Sequence, residues 1–195
     1  MHRYLESSAV IDWQSELVLN QAARLASGHS HAVDIAKACY EFVRDEIKHS
    51  WDYRLSPVTC RASDVLKYGT GYCYAKSHLL AALLRANGIP CGLCYQRLTI
   101  SGGVPPFSLH GLNAIWLEPF GWYRVDARGN SAEVDAAFCP PVERLAFPVV
   151  AEGEADFPEI WAEPLPMIQR LLENSATYME VANHLPDIYL VQKPV

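Results

Sequence analysis

Residues 74–87 set the tightest limit on what this chain can fold into. Ala75, Leu79, Leu80, Leu83, Leu84 and Ala86 recur at helical spacing across the run from Tyr74 to Asn87 and form a broad apolar face. A helix of that kind is mostly buried, so the fold must pack other elements around it. Its far end is marked by Gly88, which suits the left-handed position after a helix, and by Pro90, which blocks continuation. Its near end is approached through Gly69-Thr70-Gly71-Tyr72-Cys73, which puts a thiol on the first turn. A helix N-terminus carries unpaired N–H groups and about half a positive charge. That field favours thiolate over thiol, so a partly exposed Cys73 is a candidate nucleophile.

Helices are expected before this element and strands after it. Ser15–Ala26 and His31–Lys48 read as helices, the first stopped by Gly28, the second with Val33, Ala36, Tyr40, Val43 and Ile47 on one stripe and His49 at its end. Residues 53–60 read as a loop, and Ser63–Tyr68 as a short helical turn ending at Gly69. Beyond Pro90 the pattern changes to strands over 91–100, 109–117 and 122–127, joined by a loop at 101–106 and by Glu118-Pro119-Phe120-Gly121. Pro166–Asn183 reads as a last helix. Helices followed by an antiparallel meander predict an α+β fold, with residues 1–195 as a single domain.

Composition narrows the function classes. The 195 residues are 50% hydrophobic and 19% charged with a formal net charge of −6, which describes a globular chain and argues against nucleic acid or anionic membrane as partners. No apolar run is long enough to span a bilayer, and Met1–Ser8 has no apolar leader-like stretch, so a cytoplasmic location with reduced thiols is the expectation. Six cysteines in so long and apolar a chain need not form a disulfide framework.

A cysteine nucleophile needs a base, and the base an orienting group. Of the seven histidines, His78 follows Cys73 by five residues, about 500° around the helix, and points elsewhere. His110 opens a strand directly after a Gly/Pro-rich loop, a common place for a functional group. Asp126, between Val125 and Ala127 at the end of Trp122-Tyr123-Arg124-Val125-Asp126, is an acid in a strand and calls for a reason.

These residues resemble the transglutaminase-like superfamily. The resemblance rests on Gly71-Tyr72-Cys73-Tyr74-Ala75, on Leu79 to Pro90 (LLAALLRANGIP), on His110 and on Trp122-Tyr123-Arg124-Val125-Asp126, and it covers about residues 45–130 with a C-terminal helical extension at about 160–190. It implies a papain-like, transglutaminase-like fold in which a central nucleophile-bearing helix packs on an antiparallel sheet. It also implies Cys73 as nucleophile, His110 as general base and acid, and Asp126 as orienter. Two departures stand out: Gly111-Leu112 follows the histidine where members carry an aromatic, and Asp126-Ala127-Arg128 stands where members read D-P-T.

Strand geometry puts a condition on Asp126. A three-residue turn with Gly121 in the left-handed position pairs residue 118 with 122 and leaves Asp126 opposite Ala114, about 13 Å along the strand from His110. Asn130 would then face His110, and asparagine can also orient a histidine. Asp126 is the expected orienter, which requires a shifted or bulged register that pairs it near Leu112. For the oxyanion, the Cys73 N–H is the first expected donor, and Trp51, Tyr53, Tyr72 and Gln96 are side-chain candidates for the second.

Other motifs read as structural. Cys91-Gly92-Leu93-Cys94 follows a helix and lacks a second ligand pair, so neither a metal nor a redox role is expected, and its two thiols should face opposite sides of a strand. Glu152, Glu154, Asp156 and Glu159 lack calcium-loop spacing and read as a solvated loop. The expected function is cofactor-free hydrolysis of peptide or amide bonds, with a peptide or protein as substrate. Transamidation of glutamine and a catalytically silent binding module are the alternatives.

Overall fold

The computed structural model describes residues 1–101 and 103–189; Gly102, inside the expected 101–106 loop, and the chain from Leu190 onward lie outside the described residues. Its elements in chain order are α1 (Glu16–Ala26), α2 (Ala32–Glu46), β1 (Lys48–His49), α3 (Ser50–Tyr53), α4 (Ala62–Tyr68), β2 (Thr70–Gly71) and α5 (Cys73–Ala86). Then follow β3 (Cys91–Ser101), β4 (Val104–Leu117), β5 (Gly121–Val125), β6 (Ala137–Cys139), β7 (Val142–Arg144), β8 (Ala155–Asp156), α6 (Pro166–Asn174) and α7 (Tyr178–Asn183). The principal sheet is antiparallel in the order β5-β4-β3-β8.

Helix α5 is the axis of the molecule, as its composition requires. Every residue from Cys73 to Arg85 is buried. On one side it packs against α1, α2 and α4, and on the other against β3 and β4. Leu79, Leu80, Leu83 and Leu84 are fully buried in the main core with Val43, Ile115 and Leu117. Two long polar side chains also lie within it. Lys76 donates its Nζ to the carbonyls of Ile47 and Arg44, and Arg85 spans the carbonyls of Glu6, Cys91 and Ala162. Both tie remote chain segments to the helix by satisfying carbonyl groups that would otherwise be buried unpaired.

Lys76 explains the main difference from the expected element bounds. Helix α2 ends at Glu46 rather than Lys48, because the Ile47 carbonyl is taken by Lys76 and Ile47 is extended. The next two residues form a parallel pair with β2, Lys48 beside Thr70 and His49 beside Gly71. His49 therefore leaves the helix stripe and enters the layer that leads into Cys73. Residues 50–53 form the short α3 where a loop is expected from Tyr53.

Strand β4 begins at Val104 instead of Leu109, so the expected loop is shorter. The expected last helix is two helices. Thr177 caps α7 by accepting the Glu180 N–H, while the Glu180 carboxylate accepts the Ala176 N–H at 2.7 Å, and this reciprocal cap interrupts the helix. The acidic run is not simply solvated. Glu154 accepts from the N–H groups of Thr99, Val150 and Ala151, and Asp156 binds Gln96 and Arg124, so both clip the 150–156 segment to the sheet.

The β4–β5 register decides where Asp126 lies. Leu117 pairs with Gly121, Trp116 with Trp122 and Asn113 with Val125. Gly121, at φ 78, is thus drawn into the strand pairing, and Trp122 pairs two residues earlier on β4 than in the register in which 118 meets 122. The two tryptophans meet edge to face with ring centroids 5.7 Å apart, a contact that supports this pairing. Continued by one residue, the pairing puts Asp126 beside Leu112, one diagonal step from His110.

Candidate active site

Cys73 is the first residue of α5, with Tyr72 as the residue before it in extended conformation. Its N–H has no acceptor within the helix by virtue of that position. The thiol lies at the floor of a cleft of about 660 Å³, 8% exposed. Gly111 on β4 donates its N–H toward the sulfur at 3.5 Å. That approach depends on glycine: a Cβ on Gly111 would lie 2.9 Å from Tyr74 Cδ1 and 3.2 Å from Tyr74 Cα. A glycine at 111 thus has a packing reason, since β4 runs directly against the first turn of α5.

His110 lies one residue before that contact and is buried. Its Nε2 is 2.6 Å from Asp126 Oδ2, which leaves Nδ1 as the nitrogen for the thiol. Phe147 packs edge-on against the ring at 5.1 Å. Asp126 is fully buried, and both its oxygens are engaged: Oδ1 accepts the Arg128 N–H at 3.0 Å, and Oδ2 also accepts the Ala146 N–H at 3.3 Å. Asn130 instead closes its own loop, bonding the Ala136 N–H and carbonyl.

The electrostatics follow from these neighbours. Burial pushes the Cys73 thiol up, but the His110 charge, the His110 hydrogen bond and then His49 outweigh it and bring it down to about 6. Burial would lower His110, but the Asp126 carboxylate and the Cys73 sulfur raise it to about 10. Asp126 is held below the usual carboxylate range against its own burial, first by the His110 charge. Opposite charges at short range explain all three directions. Both directions favour thiolate and imidazolium over the neutral pair, and two groups so placed titrate as a pair.

The side-chain candidates for the second oxyanion donor are spread out. Trp51 and Tyr72 line the cleft; Tyr53 and Gln96 do not. The Tyr72 hydroxyl donates to the Tyr178 carbonyl at 2.6 Å, and Trp51 lies edge-on to Tyr178. Tyr53 lies under Lys48, and the Gln96 amide donates to Asp156 at 2.8 Å. A residue that the sequence reading passes over, His49, lines the cleft with Cys73. Cys91 joins the main core and Cys94 a small cluster with Leu112 and Ala114, as alternation along a strand requires.

The model of the transglutaminase-like superfamily matches residues 20–127, more than half of the chain. The chain belongs to the transglutaminase-like superfamily. The matched span begins in α1, earlier than the motifs alone reach, and it contains Cys73, His110 and Asp126. No curated protein matches the chain. A solved structure described as a "putative cysteine protease" from Cytophaga hutchinsonii aligns with a TM-score of 0.51 at 19% identity, over 64% of this chain and 40% of that one. The periplasmic domain of TgpA from Pseudomonas aeruginosa aligns with a TM-score of 0.49 at 20% identity, over 65% of this chain and 46% of that one. This superfamily chain therefore spans less than half the length of either structure. The first alignment bears on the fold: helices around a central helix that packs on an antiparallel sheet.

Proposed function

We propose that the protein is a thiol-dependent acyl-transfer enzyme that hydrolyses peptide or amide bonds, with Cys73, His110 and Asp126 as its triad. The observation that carries this reading is the imidazole of His110, fixed at 2.6 Å by a buried carboxylate and turned toward a thiol at a helix N-terminus. In this reading the Cys73 thiolate attacks the substrate carbonyl carbon, a C–S bond forms, and the carbonyl π pair moves to oxygen. The Cys73 N–H donates to that oxygen. His110 gives its proton to the amine nitrogen as the C–N bond breaks, leaving an acyl-enzyme. Water then attacks the thioester with His110 as base, and the acid and the thiolate are released. Asp126 holds the ring and its charge throughout without taking a proton.

Leu98, Leu109, Phe147 and Leu185 give the cleft apolar walls that suit side chains of a peptide or protein. Water is the acceptor that a solvent-filled cleft always supplies, which favours hydrolysis over transfer to an amine. A thiolate of this kind works where thiols stay reduced, such as the cytoplasm. The test compares the parent with Cys73→Ala on a panel of peptide and glutamine substrates, with and without methylamine. Turnover should fall by roughly a millionfold, the scale of removing a nucleophile that acts as a unit with its base. Equal turnover by both proteins would reject the role of Cys73. Incorporation of methylamine in place of water would reassign the reaction to transamidation.

A further inference from the structure

The cleft that holds Cys73 and His110 is also lined by His49, the histidine of a second histidine–carboxylate pair. His49 comes from β1, which pairs with β2 just before α5, so the backbone that delivers Cys73 also fixes His49 beside it. The ring is buried and packs edge-on against Tyr72 with centroids 5.5 Å apart. Its Nδ1 is 3.5 Å from Asp52 Oδ1, and Asp52 in turn binds Arg128 at 2.8 Å. Among the described residues lining the cleft, His49 alone has buried ring nitrogens without a hydrogen-bond partner.

With Nδ1 held only loosely by Asp52, leaving the buried Nε2 unpaired is costly unless a ligand or reacting group takes it up. We propose that His49, positioned by Asp52, donates a hydrogen bond to the oxyanion that forms on the substrate carbonyl when Cys73 attacks. The inference rests on the acyl-transfer reading above and supplies the side-chain donor it lacks. The ring acts on the thiol at rest, lowering its pKa after His110 does, so it lies within reach of the charge before that charge moves to oxygen. Burial would raise the Asp52 carboxyl, but it is drawn down to about 2, first by His49 and then by Arg128. His49 transfers no proton: the C–S bond forms, the π pair moves to oxygen, and the proton for the leaving amine still comes from His110. Of the other candidates, the Tyr72 hydroxyl and the Gln96 amide are committed to Tyr178 and Asp156, and Tyr53 does not line the cleft.

The test separates two reactions of the same thiol. Acetylation of Cys73 by p-nitrophenyl acetate passes through an oxyanion; alkylation by iodoacetamide does not. Both rates are followed by mass spectrometry at about pH 9, where an ordinary thiol is already largely ionised. His49→Leu should slow acetylation by about a hundredfold, the lower range for loss of one oxyanion donor, and leave alkylation within about threefold. His49→Gln, which keeps an N–H, should recover a substantial part of the loss. Asp52→Asn changes one partly exposed carboxylate to an amide and tests the pair should His49→Leu fail to fold. It should slow acetylation by up to about tenfold, the scale of losing one hydrogen bond that orients the ring, without slowing alkylation. Equal loss in both reactions, or acetylation at the parent rate in His49→Gln and Asp52→Asn alike, would overturn the role of His49. A Cys73 that is not acetylated in the parent would instead overturn the acyl-transfer reading itself.

Discussion

Both ends of α5 meet a buried thiol, and the two thiols are in opposite states. At the N-terminal end, Cys73 faces two imidazoles and the free N–H groups of the helix, and its pKa falls to about 6. At the C-terminal end, Cys91 lies beside Arg85, yet burial pushes it up to about 12. The nearby guanidinium lowers the Cys91 pKa by less than burial raises it, and its N–H groups are directed at the carbonyls of Glu6, Cys91 and Ala162 and not at the sulfur. The Cys91 sulfur accepts from Asn113 at 3.5 Å and itself leans on the Gly92 carbonyl at 3.6 Å, as a neutral thiol does. Burial is common to both ends. The groups that face the sulfur, and whether their charge is already engaged, make the difference.

Asp126→Asn should have the largest effect on that comparison. In the parent, the ion pair forms as pH rises through about 6, when Cys73 loses its proton, and is lost as pH passes about 10, when His110 loses its own. Removing the buried negative charge takes away what holds His110 up, so the alkaline limb should move down in pH. Turnover near neutral pH should drop by about a hundredfold or more, within the range that positioned acid–base catalysis contributes. The pH–rate profile checks both, and an unmoved alkaline limb would sever Asp126 from the histidine. Cys91→Ala sharpens the comparison from the other end, with a smaller effect. It should leave kcat within about twofold and cost about 1 kcal/mol of stability in urea, as deletion of a small buried group does. A large loss of activity would mean that the two ends are coupled.

How much of this was legible in the sequence depended on whether the deciding contact was local. Helix α5 was readable because its apolar spacing, Gly88 and Pro90 are all its own. His110 and Asp126 were readable from strand alternation and motif, and the need for a shifted register followed from counting residues. What fixes that register, the Trp116–Trp122 contact, joins two strands and leaves no mark on either alone. His49 was hidden for a similar reason. The stripe of Val43 and Ile47 continues past Glu46, and what ends the helix is a lysine thirty residues on that takes the Ile47 carbonyl. Lys76 among leucines and alanines was the one available signal of that remote cap. The break before α7 was there to be read, since Thr177-Tyr178-Met179-Glu180 has the spacing of a capping box.

The pH dependence of Cys73 alkylation tests the central claim most directly. Iodoacetamide would be applied to a Cys139→Ser chain, which removes the exposed thiol, and labelling at each remaining cysteine read by mass spectrometry. The account predicts that Cys73 reaches half its maximal rate near pH 6, while Cys91 stays unlabelled in the folded protein. A Cys73 that titrates like a free thiol, at about 8.5, or that reacts no faster than Cys91, would contradict it.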